Sequence, residues 1–136
     1  MDQLPHILVA CAIIENNGKI LAAKRSDAQP HGGKWEFPGG KIGKDEDPDA
    51  AIVREIREEL GCGIRVINEL SDVSFRYPDK SVTLVPLVCE ITEATAHALE
   101  HDEVRWVDMK EADALDWLPP DKEIMKDYFR MKQFGG

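Results

Sequence analysis

The sequence predicts an α/β fold in which a mixed sheet carries a helix on each face. Three observations lead there. Two long apolar runs rich in β-branched residues, His6–Glu15 and Ser81–Ile91, read as buried strands. Shorter strand-like runs lie around them. Two stretches with helical apolar spacing, Pro48–Leu60 and Asp121 to about Gln133, stand far apart in the chain. Strands that surround two separated helices suggest a layered sheet rather than a bundle or a sandwich of strands.

In chain order, His6–Glu15 is the first strand. Asn16-Asn17-Gly18-Lys19 is a strong hairpin signal, and Lys19–Arg25 pairs back as a second strand. Ser26–Lys34 is a polar loop, with His31 expected on the surface. Trp35-Glu36-Phe37 is a short strand that ends in a tight Pro38-Gly39-Gly40 turn. Glycines there let the backbone approach another group closely. Core packing is the plain reading for Trp35.

Asp47 is a good N-cap, Pro48 suits the first helical position, and Gly61 is a natural stop. On the helix between them, Ile52, Ile56 and Leu60 make a buried stripe. Ile64–Tyr77 reads as one or two strands, and Tyr77–Lys80 as a turn. Pro86 inside the next strand implies an edge position or a bulge. Thr92–His101 is a polar loop, Glu103–Asp108 a strand and Lys110–Leu115 a short helix. Trp117–Pro120 reads as a loop, after which Asp121 caps the last helix with Ile124, Met125, Tyr128 and Phe129 on its apolar face.

A chain of 136 residues is expected to form one domain, residues 1–136, and is long enough to bury a real core. The net charge of −9 argues against a nucleic-acid polymer as partner, because phosphate backbones attract basic patches. It leaves open a nucleotide whose phosphates arrive with metal ions. Three cysteines without motif spacing suggest reduced, structural thiols and a cytoplasmic location. No basic segment precedes an apolar one at the N-terminus, and no apolar run approaches a membrane span. Monomer and homodimer both remain open.

The chemistry is concentrated on the first helix. Glu55, Glu58 and Glu59 sit at i, i+3 and i+4 and share one face, where like charges repel. Arg54, four residues before Glu58, offsets part of that repulsion. A hard divalent cation such as Mg²⁺ or Mn²⁺ would turn repulsion into ligation. The bland alternative is a solvated acidic face.

The wider spacing separates the two. Gly40, Glu46, Arg54, Glu55, Ile56, Glu58, Glu59, Gly61 and Cys62 resemble the Nudix box, G-x5-E-x7-R-E-U-x-E-E-x-G-U, where U is a bulky apolar residue. At roughly 6–7% usage per residue type, matching all the fixed letters has a chance on the order of one in 10⁸ per starting position. Cys62 departs from the usual Ile, Leu or Val, but packs as a small hydrophobe. The preceding Trp35–Lys41, WEFPGGK, is similar to the MutT-type branch.

The resemblance implies an α/β/α sandwich and an enzyme that cleaves a nucleoside triphosphate to monophosphate and pyrophosphate. The carbonyl of Gly39 and the carboxylates of Glu55, Glu58 and Glu59 would hold Mg²⁺, with Mn²⁺ as a substitute. Glu59 has the alternative of orienting a water, and Arg54 and Glu46 would steady the ligands. Glu100 is implied as a further ligand or general base, against a plain solvated loop glutamate. Arg25 would face the substrate, with Lys41 and Lys80 as weaker candidates for phosphate binding. Phe37 would pack near the base, and Asp121 would bond the base edge or merely cap its helix.

Two substrates fit this branch: an oxidised purine such as 8-oxo-dGTP, and a cytosine nucleotide such as CTP or 5-methyl-dCTP. A Nudix domain that senses nucleotides without turnover typically loses box glutamates, and none is lost here. Relatives acting on sugar nucleotides, dinucleotides or coenzyme A fit WEFPGGK less well.

Overall fold

The computed structural model describes residues 4–134. Its first strand, β1 (His6–Asn16), runs through the centre and turns at Asn17-Gly18 into β2 (Lys19–Lys24). Both turn residues have positive φ, 53° and 78°, as a tight hairpin of this kind requires. Two short strands follow, β3 (Trp35–Glu36) and β4 (Gly39–Lys41), then helix α1 (Pro48–Leu60). β5 (Gly63–Glu69), β6 (Val73–Tyr77), β7 (Lys80–Glu93) and β8 (Glu103–Val107) complete the strands. α2 (Met109–Asp113) and α3 (Pro119–Phe134) close the described chain.

The sheet is mixed. Along its main path the order is β3-β2-β1-β7-β5, with β4 added to β1, β6 to β7 and β8 to β2. β1 and β7 run parallel in unbroken register from His6 opposite Ser81 to Glu15 opposite Glu90, and the other pairings are antiparallel.

Alternation along β1 sends side chains to two separate cores. Ala10, Ala12 and Ile14 pack with Leu21 against Ile52, Ile56 and Leu60 of α1. Cys11 and Ile13 pack with Ile20, Trp35 and Phe37 against Ile124, Met125 and Tyr128 of α3. This is the expected α/β/α layering, one helix to each face. Among the described residues no helix is long and apolar enough to cross a membrane.

Helix α1 matches its expected bounds. Asp47 accepts hydrogen bonds from the amides of Asp49 and Ala50, and Gly61 ends the helix in the left-handed region at φ 70°. The expected single or double strand over Ile64–Tyr77 is two strands, β5 and β6, both paired with β7.

Gly39 and Gly40, expected in a tight turn, instead form β4 against β1, and two further expectations need correction. β7 is an inner strand, so Pro86 is not on a sheet edge. It lies opposite Cys11 of β1, where the partner on its other side changes from β5 to β6. Its carbonyl still accepts from the Leu70 amide at 3.0 Å, and the missing N–H falls in the gap between ladders. Second, Asp121 does not cap α3. The helix begins at Pro119, and the Lys122 amide already bonds the Leu118 carbonyl at 2.9 Å. Pro119 and Pro120, taken for loop, suit the first turn because their fixed φ is helical and their absent N–H groups would have had no partner.

Candidate active site

Gly39 and Gly40 bring β4 against both β1 and α1. A Cβ on Gly39 would stand 2.0 Å from the Ala10 carbonyl oxygen, so only glycine allows this approach. A Cβ on Gly40 would stand 2.4 Å from Cδ of Glu55. The Glu55 carboxyl therefore lies directly on the glycine backbone.

The box residues then interlock. Arg54 donates to Glu46 through Nε and Nη2, both at 3.0 Å, to Glu55 through Nη1 at 2.9 Å, and approaches Glu58 at 3.8 Å. Its hydrogen bonds hold the Glu46 carboxyl below the usual carboxylate range. Glu59 is buried, unlike its neighbour Glu58. Burial pushes the Glu59 carboxyl up to about 9, helped by the adjacent Glu55 and by the charges of Glu36 and Glu100.

The structure thus brings Glu55 and Glu59 together, beside Gly39 and Gly40. Among the described residues no three acidic, histidine or cysteine side chains already converge on one point suited to an ion. Glu58 and Glu100 are exposed. Two adjoining carboxyls beside a closely approached glycine backbone offer the all-oxygen donors that suit a hard divalent cation. Glu55, Glu59 and Glu58 would hold it, with the Gly39 carbonyl.

Next to this cluster is a cavity of about 270 Å³. Arg25, Phe37, Gly39, Lys41, Lys80 and Asp121 all line it, so every substrate-facing candidate of the sequence reading meets in one place. Asp121 is 3% exposed, and its Oδ2 accepts from the Phe37 amide at 2.9 Å. Burial pushes this carboxyl up to about 8, against the pull of the Phe37 amide. At neutral pH it therefore keeps a proton in part of the molecules, and can donate as well as accept. The Phe37 ring is committed to Trp117, 4.9 Å between centroids, so Phe37 meets the cavity as a packed wall.

Sequence reasoning missed four residues here. His31 and Tyr77 line the cavity with rings 5.5 Å apart, and Lys80 lies 5.7 Å over the Tyr77 ring. Glu36 bonds Arg25 at 2.9 Å and His101 at 2.9 Å. His101 is in turn 3.9 Å from Glu59. His101, expected only as the end of a polar loop, is the member of that loop turned inward. The loop is drawn in because the amides of His97 and Leu99 bond the carbonyls of Leu60 and Glu59 at the end of α1.

A glycine-backed carboxylate helix beside a cationic cavity, on a mixed sheet between two helices, defines an enzyme of the phosphoanhydride-hydrolysing kind. The chain belongs to the Nudix hydrolase family: the NUDIX domain profile matches residues 4–128. It is 35% identical over 130 residues to the CTP pyrophosphohydrolase of Escherichia coli K12, covering 93% of each chain. It is 30% identical over 118 residues to the 8-oxo-dGTP diphosphatase of the same organism, covering 86% of this chain and 92% of the relative. Among solved structures, the Escherichia coli ORF135 protein superposes with a TM-score of 0.82 at 31% identity, covering 95% and 92%. The MutT protein of Methanosarcina mazei Go1 shares the fold with a TM-score of 0.85 at 24% identity, covering 98% and 99%.

Proposed function

We propose that this chain is a Mg²⁺-dependent nucleoside triphosphate pyrophosphohydrolase that releases a nucleoside monophosphate and pyrophosphate, and that its substrate is an oxidised purine deoxynucleotide such as 8-oxo-dGTP. The observation that carries this is the adjacency of one cavity, lined by Arg25, Lys41, Lys80 and Asp121, to the Glu55–Glu59 cluster across Gly39-Gly40. A nucleoside in the cavity would place its phosphates at the carboxylates.

Arg25, Lys41 and Lys80 bind the anionic chain and fix its direction. Glu55, Glu58 and Glu59, with the Gly39 carbonyl, would hold the divalent ion, for which Mn²⁺ is an alternative. When bound, that ion neutralises phosphate oxygens and favours ionisation of a water. Glu100, near Glu59, accepts the proton of the attacking water. Asp121 faces the base edge, where its carboxyl donates to a carbonyl oxygen or accepts from an N–H.

A second reading takes a cytosine nucleotide, CTP or 5-methyl-dCTP, in the same cavity. The 35% identity to a CTP pyrophosphohydrolase over 93% of both chains favours it. A carboxyl that both donates and accepts also matches the ring nitrogen and amino group of cytosine.

The test is a product assay with Mg²⁺ on 8-oxo-dGTP, dGTP, CTP, 5-methyl-dCTP, ADP-ribose and a diadenosine polyphosphate. Monophosphate plus pyrophosphate, formed fastest from 8-oxo-dGTP, is the expected result. Faster turnover of the cytosine nucleotides selects the second reading. Turnover of only the last two compounds overturns the triphosphate assignment.

A further inference from the structure

Glu36 lies outside the box and lines the cavity only with its part-buried side chain, 17% exposed. Its two oxygens are used in opposite directions. Oε1 accepts from Arg25 Nη1 on the cavity side, and Oε2 meets His101 Nε2 on the carboxylate side, both at 2.9 Å. Each partner depends on it. Among the described residues the Arg25 guanidinium has one other hydrogen bond, from Nε to the Pro30 carbonyl. The His101 side chain is 6% exposed, and its Nδ1 is buried with no partner among the described residues. Among those residues Glu36 is therefore the one hydrogen-bond partner that sets the orientation of the His101 ring, whose Nε2 lies 3.9 Å from Glu59.

We propose that Glu36 is a positioning residue that joins the two halves of the site, holding Arg25 toward the nucleotide and His101 against the ion-binding carboxylate Glu59, so that a change at Arg25 is felt at the ion. The proposal rests on the reading of Glu59 as a ligand and of the cavity as the nucleotide site. Its geometry is two hydrogen bonds in series, Arg25–Glu36 and Glu36–His101, ending with His101 Nε2 3.9 Å from Glu59, so that neither Arg25 nor Glu36 touches Glu59 itself. Partners that orient a ligand from behind typically change metal affinity by about 10–100-fold when lost. A residue one link further out should act more weakly, and only through the link.

The experiment titrates Mn²⁺ alone into the free protein and counts unbound ion by electron paramagnetic resonance, so no turnover is needed. Wild type, Arg25→Lys, Glu36→Gln and the double variant are compared, with thermal midpoints to confirm folding. Glu36→Gln is expected to weaken Mn²⁺ binding by about tenfold. Arg25→Lys is expected to weaken it about threefold, and to add nothing in the Glu36→Gln background, because linked residues are not additive. If Glu36→Gln does not fold, His101→Gln replaces it as the broken link.

Mn²⁺ affinity unchanged in Arg25→Lys overturns the proposal. Effects that multiply in the double variant overturn it too, since they show two independent roles. Absence of triphosphate hydrolysis in the wild type would instead overturn the proposed function, and leaves the Mn²⁺ comparison readable.

Discussion

Oδ2 of Asp121 accepts a hydrogen bond from the Phe37 amide at 2.9 Å, tying the first turn of α3 to the segment between β3 and β4. The carboxyl is buried at the cavity wall, and burial raises it from 3.8 to about 8. Between about pH 4 and pH 8 the unfolded chain gives up this proton while the folded chain keeps it. The folded state then binds more protons, so stability falls as pH rises through that window and levels off above it. Asp121→Asn keeps the acceptor for Phe37 and does not ionise. Its thermal midpoint should gain on wild type steadily from pH 4.5 to pH 8.5. The Glu59 carboxyl gives both proteins the same slope and cancels in the difference. Parallel pH profiles would show that Asp121 ionises normally.

Asp121→Ala removes the acceptor and leaves a buried amide unpaired, which costs about 1–3 kcal/mol. Its larger effect should be on selectivity. The ratio of kcat/KM between 8-oxo-dGTP and dGTP, or between CTP and UTP, is expected to move more than the rate on a poor substrate. Equal losses on every nucleotide would limit Asp121 to holding Phe37.

Glu58 has a side chain 55% exposed, and among the described residues its one ion partner is Arg54 at 3.8 Å. Glu58→Gln should leave the thermal midpoint nearly unchanged, as exposed positions usually shift stability by less than about 0.5 kcal/mol. Loss of a ligand removes several kcal/mol of charge stabilisation, so kcat should fall by at least two powers of ten. Unchanged turnover would refute the metal-site assignment.

The two glycines of β4 should separate fold from chemistry. A Cβ on Gly39 meets backbone atoms, the Ala10 oxygen at 2.0 Å and Cys11 Cα at 2.8 Å, which cannot move aside singly. Gly39→Ala is expected to lose about 1–3 kcal/mol or more by urea denaturation. The three atoms nearest to a Cβ on Gly40 are all at the end of the Glu55 side chain, at 2.4 to 2.6 Å. Gly40→Ala should stay folded, displace that carboxyl, and weaken Mn²⁺ binding. A Gly40→Ala protein with normal Mn²⁺ affinity would mean that Glu55 does not bind the ion from where it lies.

Local chemistry explains why some of this was legible before any coordinates. Asp47, Pro48 and Gly61 each act within their own turn, so the bounds of α1 follow from residue types. Arg25, Lys41, Lys80 and Asp121 line one cavity, and each was singled out by residue type or by resemblance. What was not legible is what depends on chain crossings. The parallel pairing of β1 with β7 joins residues 75 apart, such as His6 and Ser81, and no local pattern specifies it. Glu36 and His101, 65 residues apart, gain meaning only because loop 97–102 is bonded to the end of α1 and to Lys24 of β2. Pro119-Pro120 was ambiguous by nature, since two prolines suit a loop and a first helical turn alike.

Arg54 gives the sharpest contrast between stability and catalysis. Its guanidinium spans Glu46 at 3.0 Å and Glu55 at 2.9 Å, with its Nη2 also 3.4 Å from the Lys41 carbonyl. A lysine at this place offers one point charge and cannot span both carboxylates. The side chain is 41% exposed, so the ion pairs themselves should contribute no more than about 1 kcal/mol to the fold. The role of the fork is to hold the Glu55 carboxyl against Gly40. Arg54→Lys is therefore expected to keep its thermal midpoint and to lose about 10–100-fold in kcat or in Mn²⁺ affinity. Glu46→Gln should lose less, because Arg54 still reaches Glu55 without it. The double variant should be no worse than Arg54→Lys, since Glu46 acts only through Arg54. Full activity in Arg54→Lys would reduce the fork to a surface ion pair, and would leave the orientation of Glu55 to Gly40 alone.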